Sequence, residues 1–292
     1  MSTPNNSTLR VLGPSTFYRL AFADWQTPDA TSNDQPDVVC VHGLTRNGRD
    51  FDPLAMALSN EGRRVVCPDM PGRGLSDLLP HASEYAIPTY VAACSHLLVH
   101  LNRENTNKVL DWVGTSMGGL IGMVMAAKPG SPLRKLIVND IGPFVPKSAI
   151  KRIADYVSDQ PTFDSLDAAE AFLRVRHAPF GPLTDSYWQH MTEHSVRRNH
   201  DGTYALCYDP KIADAFAALG ESDLDLWSVW DQIRCPVLVM RGETSDVLPT
   251  DVANAMADRG PKATVLTWPE TGHAPVLESP AQISAIKNFL AA

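Results

Sequence analysis

Gly114-Thr115-Ser116-Met117-Gly118 decides how this chain is read. It is a G-x-S-x-G motif preceded by Lys108-Val109-Leu110-Asp111-Trp112-Val113, a short apolar run rich in strand formers. Leu120 to Ala127, on the other side, is apolar and suited to a helix. A strand that turns sharply into a helix forces the central serine into a strained backbone and lifts its hydroxyl above the sheet. Glycines flank such a serine because a side chain there collides with neighbouring backbone. Gly118-Gly119 also lets the helix pack close to the strand. Five letters alone match many turns without chemistry, so the surroundings carry the reading.

Working outward, apolar strand-like runs alternate with helical ones. Thr16 to Phe22 reads as an early strand, after a polar stretch over residues 1–15 that is expected to fray. Thr27 to Gln35 is a loop rich in Pro, Asp, Ser and Asn. Asp37 to Val41 fits a fully buried parallel strand ending at His42-Gly43. A helix follows from Phe51 to Asn60, a strand from Arg64 to Cys67, and a long amphipathic helix from Thr89 to Leu101. Beyond the serine turn come strands at Leu133–Asn139, Pro236–Met240 and Lys262–Trp268, and a last helix at Ala281–Leu290. This order predicts an α/β fold, a mostly parallel central sheet with helices on both faces.

Between Gly142 and about Asp225 the alternation stops. The stretch reads as several helices with many aromatics, Trp188 among them, and is too long for a simple loop. We expect a core of residues 1–142 and 226–292 with an inserted helical cap, 143–225. The cap would lie over the carboxyl ends of the strands, where open α/β sheets bind ligands.

The 292 residues suffice for a large core, and 44% hydrophobic with 20% charged residues is an ordinary globular composition. A net charge of −8 disfavours nucleic acid and anionic membranes as partners. Met1 to Ser7 is polar, without the apolar centre of a secretory signal, and no run reaches the length of a membrane span. Five cysteines (Cys40, Cys67, Cys94, Cys207 and Cys235) match no zinc spacing. Cys40, Cys67 and Cys235 lie in or beside apolar runs and read as buried free thiols, which fits a cytoplasmic protein.

His42-Gly43, Asp69-Met70-Pro71-Gly72-Arg73-Gly74, Gly114-Thr115-Ser116-Met117-Gly118-Gly119, Arg241-Gly242 with Asp246, and Gly272-His273 occur in that order. The pattern resembles the capped α/β-hydrolase fold enzymes of the esterase, lactonase and carbon–carbon hydrolase group. The resemblance covers about residues 36–140 and 226–290 and is loose in the cap. It implies Ser116 as nucleophile, Asp246 as acid and His273 as base, in the family's chain order. A serine hydroxyl needs such a base, because it is too weak an acid to attack a carbonyl unaided at neutral pH. Asp140, at the end of the preceding strand, is the alternative acid, since some relatives place the acid there. Asp69 is expected to organise its own loop.

The resemblance further implies an oxyanion hole from the backbone amides of Leu44 and Met117, each donor supplying on the order of 3–4 kcal/mol of stabilisation. His42 is expected to position the Leu44 loop. Arg46 and Asn47 either reach the substrate or tie that loop down; Trp188 is a further candidate substrate contact. His190 and His194, four apart, can share a helix face, but no Glu completes an H-E-x-x-H motif, and an ordinary polar helix is expected. His96 and His100 share that spacing and are expected to face solvent. Arg174, Arg176, Arg197 and Arg198 are read as solvated helix charges or as recognition groups for an acidic substrate.

The expected activity is hydrolysis of a small carboxylic ester or lactone through an acyl-enzyme, with no metal or organic cofactor, in a monomer or homodimer. The alternatives are carbon–carbon cleavage of a vinylogous diketone and a non-catalytic ligand-binding protein of the same fold. Leu44-Thr45-Arg46-Asn47 and Ala274 both depart from the pattern usual in the carbon–carbon hydrolases.

Overall fold

The computed structural model describes residues 3–26, 35–101, 108–217 and 222–292. Most of the expected Thr27–Gln35 loop lies outside the described residues. Eight strands form the main sheet: β1 (Asn5–Leu12), β2 (Phe17–Trp25), β3 (Asp37–Val41), β4 (Val65–Pro68), β5 (Leu110–Thr115), β6 (Leu133–Asn139), β7 (Val237–Gly242) and β8 (Thr264–Trp268). Their spatial order is β1-β2-β4-β3-β5-β6-β7-β8. The pairs from β4 to β8 are parallel, whereas β1–β2 and β2–β4 are antiparallel.

Period-two alternation sorts the strand side chains into two cores. Val39, Val41, Trp112, Leu136, Val138 and Val239 join the larger core on one face. Val38, Cys40, Val113, Ile137, Leu238 and Met240 face the other way, into the smaller one. Burying a side chain of this size contributes about 1.5–3 kcal/mol, so both faces must be covered. Helices α1 (Asp52–Ser59) and α10 (Pro280–Ala291) cover the smaller core through Leu54, Leu58, Ile286 and Leu290. Helices α2 (Ile87–Leu101), α3 (Met117–Ala126) and α9 (Thr250–Asp258) cover the larger one through Leu97, Ile121 and Met256. The start of α10 is written locally: Ser279 accepts from the Gln282 amide, and Pro280 occupies the first turn.

Residues 143–225 carry α4 (Lys147–Ser158), α5 (Leu166–Arg176), α6 (Asp185–Ser195) and α7 (Lys211–Ala217), and the short α8 (Trp227–Trp230) follows them. They also carry strands where only helices were expected: Thr162–Phe163, Tyr204–Leu206 and Val196–Arg198 form a three-stranded antiparallel sheet. Arg197 and Arg198 are therefore exposed strand residues, not helix charges. Phe144–Val145 pairs with Leu224–Asp225, closing the insertion at its neck. The insertion is bonded to loops that leave the carboxyl ends of parallel strands. Asn47, after β3, donates to the His194 carbonyl (2.7 Å), and Gly74, after β4, donates to the Cys207 carbonyl (3.0 Å). Gly272, after β8, donates to the Pro179 carbonyl (2.6 Å).

The frayed segment expected over residues 1–15 is instead largely strand. β1 pairs with β2 over its whole length, from Asn5 with Asp24 to Leu12 with Phe17. Only Val11 of this edge strand is buried, so main-chain pairing holds it rather than a hydrophobic face. All five cysteines are free; Cys40, Cys67 and Cys94 are buried, whereas Cys235 is only half-buried. No helix among the described residues is long and apolar enough to cross a membrane.

Candidate active site

The turn between β5 and α3 holds Ser116 at φ 52° and ψ −115°. A non-glycine residue in that region costs on the order of 1–3 kcal/mol, which surrounding packing must offset. The neighbouring glycines make the turn possible. A Cβ on Gly118 would stand 1.9 Å from the Val41 carbonyl oxygen, and one on Gly114 2.2 Å from the Gly118 oxygen. The helix can therefore begin directly over the ends of β3 and β5, with Ser116 half-buried between them.

His273 follows β8, and its Nε2 lies 2.9 Å from Ser116 Oγ. Its Nδ1 lies 2.8 Å from Oδ2 of Asp140, the residue after β6. A carboxylate only accepts, so Nδ1 carries the hydrogen and Nε2 is free to accept from the serine hydroxyl. Asp140 is fully buried and sits at φ 55°, a conformation that aspartate tolerates better than most residues. Its other contacts are the Gly242 amide on Oδ1 (2.7 Å) and the Ser245 hydroxyl on Oδ2 (2.5 Å).

Asp246, expected as the acid, is elsewhere. It forms a two-pronged ion pair with Arg152 of α4, and both side chains are nearly half exposed. The loop after β7 turns so that Ser245 and the Gly242 amide face inward and Asp246 faces the insertion. That loop supplies two donors to Asp140 rather than an acid to His273. Asn139, which sequence reasoning passed over, ties the three segments together. Its side-chain amide donates to Thr115 Oγ1 (3.0 Å) and the Pro275 carbonyl (2.7 Å), and its carbonyl accepts from Ser116 N (2.9 Å). Its place at the end of a buried strand, beside an aspartate, was the available signal.

Beside Ser116 lies the loop that follows β3. A Cβ on Gly43 would stand 3.7 Å from Ser116 Cβ. His42 is fully buried, with Nδ1 2.6 Å from the Gly43 carbonyl and Nε2 accepting from Met70 N at 2.9 Å. Burial pushes its imidazole down to about 3, and the Gly43 carbonyl opposes the fall while Arg73 adds to it. The folded value lies below the ordinary 6.5, so between the two the unfolded chain binds more protons. His42 thus gives its full contribution above about 6.5 and loses it as pH falls towards 3, with a slope of at most about 1.4 kcal/mol per pH unit. The stability advantage of wild type over His42→Gln should therefore shrink steadily from pH 7 to pH 5 in urea titrations. An advantage that stays constant across this range would contradict the neutral, buried imidazole.

Arg46 and Asn47 face the protein. Arg46 is buried, with its guanidinium on Asp50 (2.9 and 2.5 Å) and on Ser195 Oγ (2.6 Å). Besides its bond to His194, Asn47 accepts from Arg49 N (3.0 Å). These contacts tie the loop after β3 to α6. Trp188 is buried in the larger core, with the Arg174 guanidinium 5.3 Å over its ring. Asp69 accepts from the amides of Gly48 and Leu75, both at 2.8 Å, and burial pushes its carboxyl up to about 6.

Two arginines of the insertion, both singled out from sequence, are engaged in ion pairs. Arg174 pairs with Glu170 and Asp185, and Arg176 with Asp159. His190, His194 and Asp52 offer ligand atoms within 4.8 Å of one another. Both oxygens of Asp52 are held by Arg49, whose positive charge opposes a second cation, and His190 Nε2 lies 3.0 Å from the Arg49 carbonyl. This donor set joins α6 to the start of α1. His96 is exposed, whereas His100 is half-buried against Phe22 rather than facing solvent.

A family model described as Alpha/beta hydrolase family matches residues 38–286. The chain is 38% identical to the 3-hydroxybutyrate-oligomer hydrolase of Cupriavidus necator, over 99% of this chain and 98% of that one. It is 26% identical to the 2-(acetamidomethylene)succinate hydrolase of Mesorhizobium japonicum, over 87% and 88%. Among solved structures, an alpha/beta hydrolase from Novosphingobium aromaticivorans superposes with a TM-score of 0.87 at 34% identity, covering 100% of this chain and 99% of that one.

Proposed function

The chain belongs to the alpha/beta hydrolase family, and from that premise we propose that it is a serine hydrolase of small carboxylic esters, with Ser116, His273 and Asp140 as its triad. The observation that carries this reading is the continuous line of hydrogen bonds from Ser116 Oγ to His273 Nε2 (2.9 Å) and from His273 Nδ1 to Asp140 (2.8 Å). Ser116 Oγ attacks the ester carbonyl carbon while its proton passes to His273 Nε2, and the carbonyl electron pair moves onto oxygen. Collapse expels the alcohol, which takes the proton from His273. Water, activated by the same imidazole, then releases the acid and restores the hydroxyl. Asp140 fixes the tautomer and stabilises the imidazolium.

The oxyanion forms against the amides of Leu44 and Met117 in this reading. Met117 opens α3, where amides have no intrahelical partner. The Gly43 carbonyl is held by His42 and by the Arg46 amide (3.2 Å), and the Leu44 N–H leaves the opposite side of that planar trans peptide. Residues 143–225 act as the cap that shapes the substrate pocket, with residues 1–142 and 226–292 as the core.

We further infer that the ester lies within a short oligomer of a 3-hydroxy acid, as in the name of the Cupriavidus relative, which matches over nearly the full length of both chains. The test is hydrolysis of the linear 3-hydroxybutyrate dimer and trimer beside p-nitrophenyl esters from acetate to decanoate. Release of monomer from the dimer by wild type, absent in Ser116→Ala, is the expected result. Turnover of p-nitrophenyl butyrate with the oligomers untouched would remove the oligomer reading and leave the esterase. Folded protein inactive on every ester would remove both.

A further inference from the structure

Arg73 is 1% exposed, yet its bonded partners carry no charge. Its Nε donates to the Leu44 carbonyl (2.8 Å), and its Nη1 donates to the Pro71 carbonyl (2.7 Å) and the Tyr90 hydroxyl (2.8 Å). Its Nη2 lies 3.8 Å from Met117 Sδ. The guanidinium carbon sits 5.6 Å from the Tyr85 ring centre and 5.0 Å from that of Tyr90. The Asp209 carboxylate meets this network through the Tyr85 hydroxyl, and the Asp209 amide donates to the Gly72 carbonyl. Among the described residues no carboxylate is in ion-pair contact with Arg73.

Removing a guanidinium from water without a counter-charge is expensive, and two aromatic faces and neutral acceptors offset only part of that cost. The same charge is well placed for an anion that exists only during reaction. Arg73 grips the carbonyl of Leu44 and touches the side chain of Met117, the two residues whose amides face the oxyanion in the reading above. With His42 on the Gly43 carbonyl and Arg73 on the Leu44 carbonyl, both peptides flanking Leu44 are pinned, which fixes the direction of its N–H.

We propose that Arg73 is a charged positioning residue of the oxyanion hole: it fixes the Leu44 peptide and sets an uncompensated positive charge behind the two donors. This rests on the serine-hydrolase reading and goes beyond it. The charge is present before substrate binds and needs no reorganisation when the oxyanion forms, which is how preorganised electrostatics acts. A neutral ester gains little from it, so the benefit falls on kcat rather than KM.

The test compares two inhibitors on wild type, Arg73→Gln and Arg73→Lys. One is an alkylboronic acid, which forms a tetrahedral anion on Ser116; the other is 4-nitrobutyranilide, the uncharged amide analogue of p-nitrophenyl butyrate, which serves as the substrate for the kinetics. Arg73→Gln is expected to lower kcat about 10- to 100-fold with KM within about twofold, and to weaken the boronate by the same factor while the amide binds as before. A folded Arg73→Gln that keeps the wild-type ratio of boronate to amide affinity overturns the proposal. If that variant does not fold, Arg73→Lys decides. It keeps the charge and an N–H donor for the Leu44 carbonyl, so the affinity ratio should stay within about threefold of wild type, and a larger fall overturns the role of the charge. A wild type that binds the amide but forms no boronate adduct removes the serine-hydrolase reading itself, and the proposal with it.

Discussion

Ser116→Ala is expected to lower kcat on the proposed substrate, the 3-hydroxybutyrate dimer, by about a million-fold, on the scale seen when a triad serine is removed. The substitution deletes one oxygen at a half-buried position and leaves the strained turn to be held by its glycines, so the fold should persist. His273→Ala has a comparable effect, because a hydroxyl without its base is as inert as a base without its hydroxyl. The double variant is hardly worse than either single one, since the residues act as a unit. What remains, about a thousandfold over water, belongs to binding and the oxyanion donors. Steady-state kinetics on dimer and p-nitrophenyl butyrate checks this, and a Ser116→Ala variant within about a hundredfold of wild type would place the nucleophile elsewhere.

Asp140→Asn lowers kcat by about ten-thousandfold, whereas Asp246→Asn changes it by less than about threefold. Asp140 accepts from Gly242 N and Ser245 Oγ as well as from His273, so it has three donors around one carboxylate. An asparagine whose oxygen keeps the Gly242 amide puts its NH2 where Oδ2 stood, towards both Ser245 Oγ and His273 Nδ1. That selects the tautomer with hydrogen on Nε2, which cannot take the serine proton. Asp246 loses only a half-exposed pair with Arg152, worth about 0–1 kcal/mol. Measured kcat values that fall equally in the two variants, or fall more in Asp246→Asn, would contradict the assignment of Asp140.

The division of labour between these two aspartates marks where the sequence stopped being legible. Periodicity was readable wherever a strand is buried on both faces. Asp37–Val41 contains the apolar run Val38–Val41 and Leu133–Asn139 the run Leu136–Val138, and the expected bounds coincide with β3 and β6. The edge strand β1 was not readable as structure, because its residues alternate weakly and only Val11 is buried. Helix α9 was also passed over, as Thr250–Asp258 is short and lies among turn residues. The short strands of the insertion are two or three residues long, too short to show a period. In the site, Ser116 and His273 carry local signatures of glycine and strand context. The proposed acid carries none, because both Asp140 and Asp246 follow strands at the same edge of the sheet. Which of them turns inward depends on the path of the loop after β7 and on Arg152, 94 residues distant in sequence. Arg73 was visible only as one letter of a loop; its burial and its uncharged neighbours are properties of the folded chain.

The most direct test of the central claim is covalent capture. Wild-type protein is incubated with a fluorophosphonate, digested, and the adduct is located by peptide mass spectrometry, with Ser116→Ala, Asp140→Asn and Asp246→Asn run in parallel. The expected result is one adduct, on Ser116, formed at the wild-type rate in Asp246→Asn, far more slowly in Asp140→Asn, and not at all in Ser116→Ala. Folded wild-type protein that takes no label, or takes it on another residue, would contradict the assignment of Ser116 as an activated nucleophile.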